Sequence, residues 1–286
     1  AAAETASSYK SDMIGILEEN ADGTYTVSLP GGLSVSGELN GGIEDRYIGT
    51  LVSVRSSGTG KISVTPVSDS DVYGRLDLTN KTLGSYDIAA GAAVYEWAGR
   101  GYVMEISLDD IDWTTTVGAS NVSYAHLNSA GDVDIILLED VTGSAYTYGL
   151  ASMASGDSTF GSSTSLTVTN SDGSTGALTG ASGVRTGSFI GVAYTAAGAV
   201  ADTVTLSGKS VERSDFIGSE YVDINDTLYR LADDLQVYNS TTGTWYTDSA
   251  SLGTALEQAL AYSEDITVYY DRDAGSGGRI RVVAVE

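Results

Sequence analysis

One hairpin pattern returns four times along the chain, and it constrains the fold more than any other feature. The first copy is Val52-Ser53-Val54, then Gly58 and Gly60, then Ile62-Ser63-Val64. The second is Val122-Ser123-Tyr124, Gly131, then Val133-Asp134-Ile135. The third runs Val192-Ala193-Tyr194, Gly198, Val200, and the fourth Val268-Tyr269-Tyr270, Gly277-Gly278, Ile280-Arg281-Val282. Alternating β-branched and aromatic residues on either side of a glycine-bearing turn read as paired antiparallel strands. Val54, Tyr124, Tyr194 and Tyr270 close the four first strands, at spacings of 70, 70 and 76 residues. A second mark, an apolar or aromatic residue followed by glycine, keeps nearly the same phase at Ile14-Gly15, Tyr73-Gly74, Tyr148-Gly149 and Ile217-Gly218. Two marks in phase predict four modules, at 10–68, 69–143, 144–209 and 210–286, behind a tail at 1–9. Each module is near the lower size limit for a core of its own.

The expected fold class is all-β: tandem small antiparallel β-barrel-like modules, with one short helix in the last. In the first module the alternation predicts strands at 13–18, 24–29, 33–39, 47–55 and 61–67. Five short strands closing on themselves remove the exposed edges that would otherwise pair with other chains. In the fourth module Leu252, Ala255, Leu256, Ala259 and Leu260 recur at helical spacing within 251–263, with Ser251 or Asp248 as the expected cap. A helix there fits an oligonucleotide/oligosaccharide-binding (OB) type of barrel, and an SH3-like barrel remains open.

Charge narrows the function. The chain has 14 Lys+Arg against 38 Asp+Glu, a net −24. Phosphate polymers need a positive footprint, so nucleic acid is not the expected partner. An acidic surface of this kind suits bridging by divalent cations. The sequence has no Cys, which removes disulfides, thiolate metal sites and thiol nucleophiles, and its one His is His126. No run approaches the length of a membrane-spanning helix. The start at Ala1-Ala2-Ala3-Glu4 reads as an end left after signal cleavage behind small residues, and so predicts an extracellular or cell-surface protein.

Two acidic clusters are candidate calcium sites. Asp109, Asp110 and Asp112 stand beside Trp113; the alternative is a solvated connector whose carboxylates begin a helical turn. Asp271 and Asp273 precede a glycine-rich hairpin tip, where Asp and Gly are also simply what turns require. Asp223, Asn225 and Asp226 form a third, weaker group. Calcium is the one cofactor these residues suggest. His126, after Tyr124 on an expected strand, lacks the Gly-x-Ser-x-Gly elbow of a serine hydrolase, so a packing role is expected. A glycosidase carboxylate pair finds no large cleft in four small modules. No catalytic residues, and no enzyme, are therefore expected. Trp97 and Trp113 are expected to be buried in or beside the second module, against the alternative of sugar-stacking platforms.

Three stretches carry a family likeness. They are Asp134-Ile135-Ile136-Leu137-Leu138-Glu139-Asp140-Val141-Thr142-Gly143 with Tyr146-Thr147-Tyr148-Gly149; Asp234-Leu235-Gln236-Val237-Tyr238-Asn239 with Thr244-Trp245; and Val268-Tyr269-Tyr270-Asp271-Arg272-Asp273 with Gly277-Gly278-Arg279-Ile280-Arg281-Val282. In these the chain resembles the non-anchor region of bacterial S-layer-homology-domain-containing surface proteins, although the anchor motif itself is absent. The resemblance implies a self-assembling structural subunit of a cell-surface layer or extracellular filament, a homo-oligomer with other copies of itself as partner. The alternative is an adhesin binding cell-wall or host glycans. The tail would order against a neighbouring subunit, with Tyr9 as its anchor.

Overall fold

The computed structural model describes residues 13–57, 59–153, 165–251 and 253–286. The tail and Tyr9 lie outside the described residues. The chain is all-β, and among the described residues the strands form four sheets, with one α-helix at Ala255–Tyr262.

The first sheet is a closed barrel of Met13–Glu19, Tyr25–Leu29, Leu33–Leu39, Leu51–Ser56 and Lys61–Pro66. Its strands follow the order first-second-third-fifth-fourth and return to the first, the Greek-key order of an OB barrel. Closure depends on one short parallel contact, Glu38 with Lys61 and Leu39 with Ile62. Leu17, Val27, Val52, Val54 and Ile62 fill the interior. The fourth strand begins at Leu51, later than the expected 47, because Asp45–Tyr47 forms a 3-10 turn.

The other three sheets keep the same cyclic order and open it at different seams. The third sheet runs Thr175–Ala177, Leu166–Thr169, Thr147–Met153, Phe189–Tyr194, Val200–Thr205, which is third-second-first-fourth-fifth. The second and fourth sheets share another pattern. In each, a twelve-residue strand, Tyr86–Trp97 or Leu228–Asn239, pairs parallel with the last strand, Val133–Glu139 or Arg279–Val285. That last strand pairs antiparallel with the strand before it, Val122–Leu127 or Ile266–Tyr270. Val54, Tyr124, Tyr194 and Tyr270 all lie on the strand that opens the recurring hairpin. Ser207–Val211, which straddles the expected boundary at 209, pairs with Ile266–Tyr270 in the fourth sheet.

The chain gathers into two compact units. The first runs to Asp110 and takes in Thr115–Ala145 and Tyr194–Ala201; the second comprises Ile111–Thr114, Tyr146–Ala193 and Asp202–Glu286. Within the first unit, Ile14 and Leu51 of the barrel pack with Tyr95, Val103, Tyr124, Ile135 and Leu137 of the second sheet. Within the second unit, Phe189 of the third sheet packs edge-on against Tyr238 at 5.5 Å and Trp245 at 6.0 Å, and tilted on Tyr269 at 4.6 Å.

Trp113 groups with the second unit and is half-buried, so close on Gly277 that a Cβ there would meet its indole at 2.3 Å. The helix is capped by Thr254 rather than Ser251 or Asp248. Thr254 Oγ1 accepts from Glu257 N–H and Glu257 Oε2 accepts from Thr254 N–H, a reciprocal box. Asp248 adds a bond from Ala255 N–H at 2.7 Å.

The glycine mark proves to be two different things. At Gly15 and Gly149 the first strand of a barrel-type sheet crosses its second so closely that a Cβ would sit 2.1 Å from Ser28 O or 2.5 Å from Thr169 O. Gly218 instead takes φ +61° with open space around it. Gly15→Ala should therefore destabilise by about 3 kcal/mol or more, the upper end of overpacking costs. Gly218→Ala should cost only about 1 kcal/mol, the left-handed backbone penalty. Urea unfolding of the two variants checks the ordering.

Candidate functional site

The most heavily partnered carboxylate in the second unit is Asp271, one of the residues singled out for calcium. It stands just past Ile266–Tyr270 with its side chain fully buried. Its Oδ1 accepts from Arg279 N–H at 2.9 Å. Its Oδ2 accepts from Arg281 Nε at 3.1 Å, Arg281 Nη2 at 3.0 Å and the Tyr148 hydroxyl at 3.2 Å. The Arg281 guanidinium, itself 3% exposed as a residue, stacks over the Tyr148 ring at 4.6 Å. Gln236 completes the tie: its Nε2 donates to Tyr148 O and its Oε1 accepts from Ser171 N–H, both at 2.7 Å. Tyr148 and Ser171 come from the third-sheet region, Gln236, Asp271 and Arg281 from the fourth sheet. The cluster is thus a polar weld between two sheets of one unit. Burial pushes the Tyr148 hydroxyl well above its ordinary pKa; Asp271 adds to that rise and Arg281 opposes it.

Asp273 does not join Asp271 at a shared point. It precedes the 3-10 turn Ala274–Ser276, and its carbonyl accepts from Ser276 and Gly278 N–H. Gly278 is required there, since a Cβ would fall 1.7 Å from Arg272 O. Asp109 and Asp110 lie in the 3-10 turn Leu108–Asp110, where Asp110 Oδ2 accepts from Ser107 N–H at 2.8 Å. That agrees with the connector alternative. Asp112 pairs with Arg230 and lies 4.0 Å from Arg279. Asp215, Asp223, Asn225 and Asp226 line a small polar pocket, with Asn225 and Asp226 at positive φ. Among the described residues, no three His, Asp or Glu side chains are arranged to hold a metal ion.

The first unit contains a second polar weld that the sequence did not reveal. Glu96, fully buried on Tyr86–Trp97, accepts from Val141 N–H and Thr142 N–H at 2.5 Å each. It also accepts from Thr142 Oγ1 at 2.7 Å and Ser144 N–H at 3.1 Å. One carboxylate thus takes up the donors of the whole segment leaving the second sheet. His126 makes a cross-strand pair, its Nδ1 2.6 Å from Asp134 Oδ1. Trp97 is half-buried, with its indole N–H donating to Ser123 Oγ at 3.1 Å.

Compared with family models, with curated proteins and with solved structures, the chain matches none of them.

Two outcomes follow from the welds. Arg281→Met leaves Asp271 buried without its cation and should cost about 3–5 kcal/mol, whereas Tyr148→Phe removes one hydrogen bond and should cost about 1 kcal/mol; denaturant titration separates them. Alkaline pH should also unfold the protein. Burial, with Glu105 nearby, raises Tyr95 to about 12, and burial with the Glu18 contact raises Tyr102 to about 12. The neutral phenols favour the folded state, so stability is complete below the ordinary value of about 10 and falls as pH climbs towards 12. Circular dichroism followed with tyrosinate absorbance should show the last phenols ionising together with loss of structure. Their full ionisation near pH 10 with structure intact would contradict this.

Proposed function

We propose that the chain is a non-enzymatic structural subunit of a bacterial cell-surface layer or extracellular filament, assembling through contacts between copies of itself. The observation that carries the reading is how the buried ionisable groups are used. Asp271 and Arg281 are bonded by protein groups at the junction of the third and fourth sheets, and Glu96 by the segment that leaves the second sheet. Asp271 and Arg281 fix one sheet against the next, Glu96 fixes the exit from its own sheet, and all three are engaged in holding structure. A chain of stiffened small modules suits a part that transmits shape through an assembly. The absence of Cys and the likeness to surface-protein regions agree with a place outside the cell. At −24, copies repel one another, so assembly needs salt screening or divalent cations to proceed.

Negative-stain electron microscopy of the purified chain, at moderate ionic strength with Ca²⁺, should show ordered sheets or filaments. Deleting residues 1–11 should reduce assembly if the tail and Tyr9 act as its anchor. A monodisperse monomer under the same conditions at high concentration would overturn the reading.

A further inference from the structure

We propose that the junction between the two sheets of the first unit is a binding cleft for an uncharged saccharide, with Trp97, Tyr124, Arg46 and Arg100 as its contact residues. This role goes beyond assembly and does not depend on it.

The cleft has a volume of about 620 Å³. That falls in the range of roughly 300–1,000 Å³ typical of small-molecule sites. The buried Leu51, Tyr124 and Leu137 form its floor, the half-buried Trp97 gives the accessible aromatic surface, and Arg46, Arg100, Ser123 and Glu139 supply polar groups. A pyranose ring has the matching character: C–H faces that lie against aromatic rings, and hydroxyls that fill the forks of planar polar side chains.

The second unit serves as an internal control. Strand register places Tyr124 opposite Leu137, which pairs with Tyr95 of the long strand. In the other unit Tyr269 lies opposite Val282, which pairs with Gln236 of its long strand. Trp97 and Tyr238 follow two residues further along those long strands. Leu51 and Phe189 each open the fourth strand of the facing sheet. Phe189 fills its junction, packing on Tyr238, Tyr269 and Trp245. In the first unit the shorter Leu51 leaves the corresponding space open. One junction geometry is therefore plugged in one unit and hollow in the other.

The side chains around the hollow are held in place. Trp97 is oriented by its bond to Ser123. Arg46 lies 4.8 Å over the Tyr47 ring and pairs with Glu44 at 3.0 Å. Arg100 at φ +61° follows Gly99 at φ +58° as the second central residue of a tight hairpin turn closed by Gly101 N–H on Ala98 O, which fixes its backbone at the edge of the cleft. Arg100 makes no hydrogen bond or ion pair to a described residue, so its fork is open to a ligand.

Local charge selects against ions. Arg46 and Arg100 are balanced by Glu44 and Glu139, and Glu139 itself binds Gly99 N–H at 2.8 Å. An anionic glycan would meet the field of a chain at −24 without a net positive cleft to offset it.

The test is a glycan array carrying neutral, acidic and amino saccharides, probed with the full chain, followed by calorimetric titration of the best neutral oligosaccharide. Arg100→Ala, at an exposed position, should weaken that binding at least tenfold. Leu51→Phe, which copies the plug of the second unit, should abolish it while thermal unfolding remains cooperative. Phe189→Leu should leave it unchanged. Binding to acidic glycans alone, to no neutral glycan, or with affinity unaffected by both Arg100→Ala and Leu51→Phe would overturn the proposal.

Discussion

The structure depends on two strands that are buried on both faces. Arg279–Val285 is buried at every position, and Val133–Glu139 at five of its seven. A strand in a one-layer sheet can bury only alternate side chains; the other face must stay polar or be covered by a second layer. Ile136 and Leu138 can face the interior of their own sheet only if Ile135 and Leu137 are covered from outside. In the first unit Ile14 and Leu51 of the barrel provide that cover. Pairing of a barrel-type sheet with a half-open sheet is thus a requirement of the sequence.

That requirement explains the polar welds. Apolar contact between two sheets is not directional, so it resists sliding poorly. Asp271 meets Arg281 and Tyr148, and Gln236 meets Tyr148 and Ser171, only in one register. Desolvating such a pair costs much of what its attraction returns, so its value lies in specifying geometry as much as in stability. The Glu96 carboxylate acts likewise on an irregular segment, holding Val141–Ser144 as a fixed exit from the sheet.

Much of the fold was legible. Strict alternation with glycine punctuation marked the strands of the first module and placed all four recurring hairpins, because both signals are local. What escaped was the pairing of modules. Ile135-Ile136-Leu137-Leu138 is a continuous apolar run, the mark of a strand covered on both sides, but such a run does not name what covers it. The glycine mark misled at Gly218, since a close backbone approach and an open turn both select glycine. The partners of Asp271 are hidden in the sequence for a related reason. An aspartate before a glycine-rich tip looks the same whether a cation or a guanidinium receives it, and its partner Tyr148 is distant in sequence. The cleft was invisible because none of its residues is unusual alone; it arises from what Leu51 does not fill.

The two junctions show how a small change of volume divides one architecture into two roles. A space between packed layers forfeits dispersion contacts on its lining and costs stability in proportion to its size. Phe189 avoids that cost by placing a ring against three aromatic neighbours. The first unit accepts that cost at Leu51, beside a half-buried Trp97 whose indole N–H is held by Ser123. Departures of this kind from the locally best choice tend to collect where a surface is used, because only an added contact makes them worthwhile. The plugged junction needs no such compensation, and its interior is spent wholly on holding two sheets together.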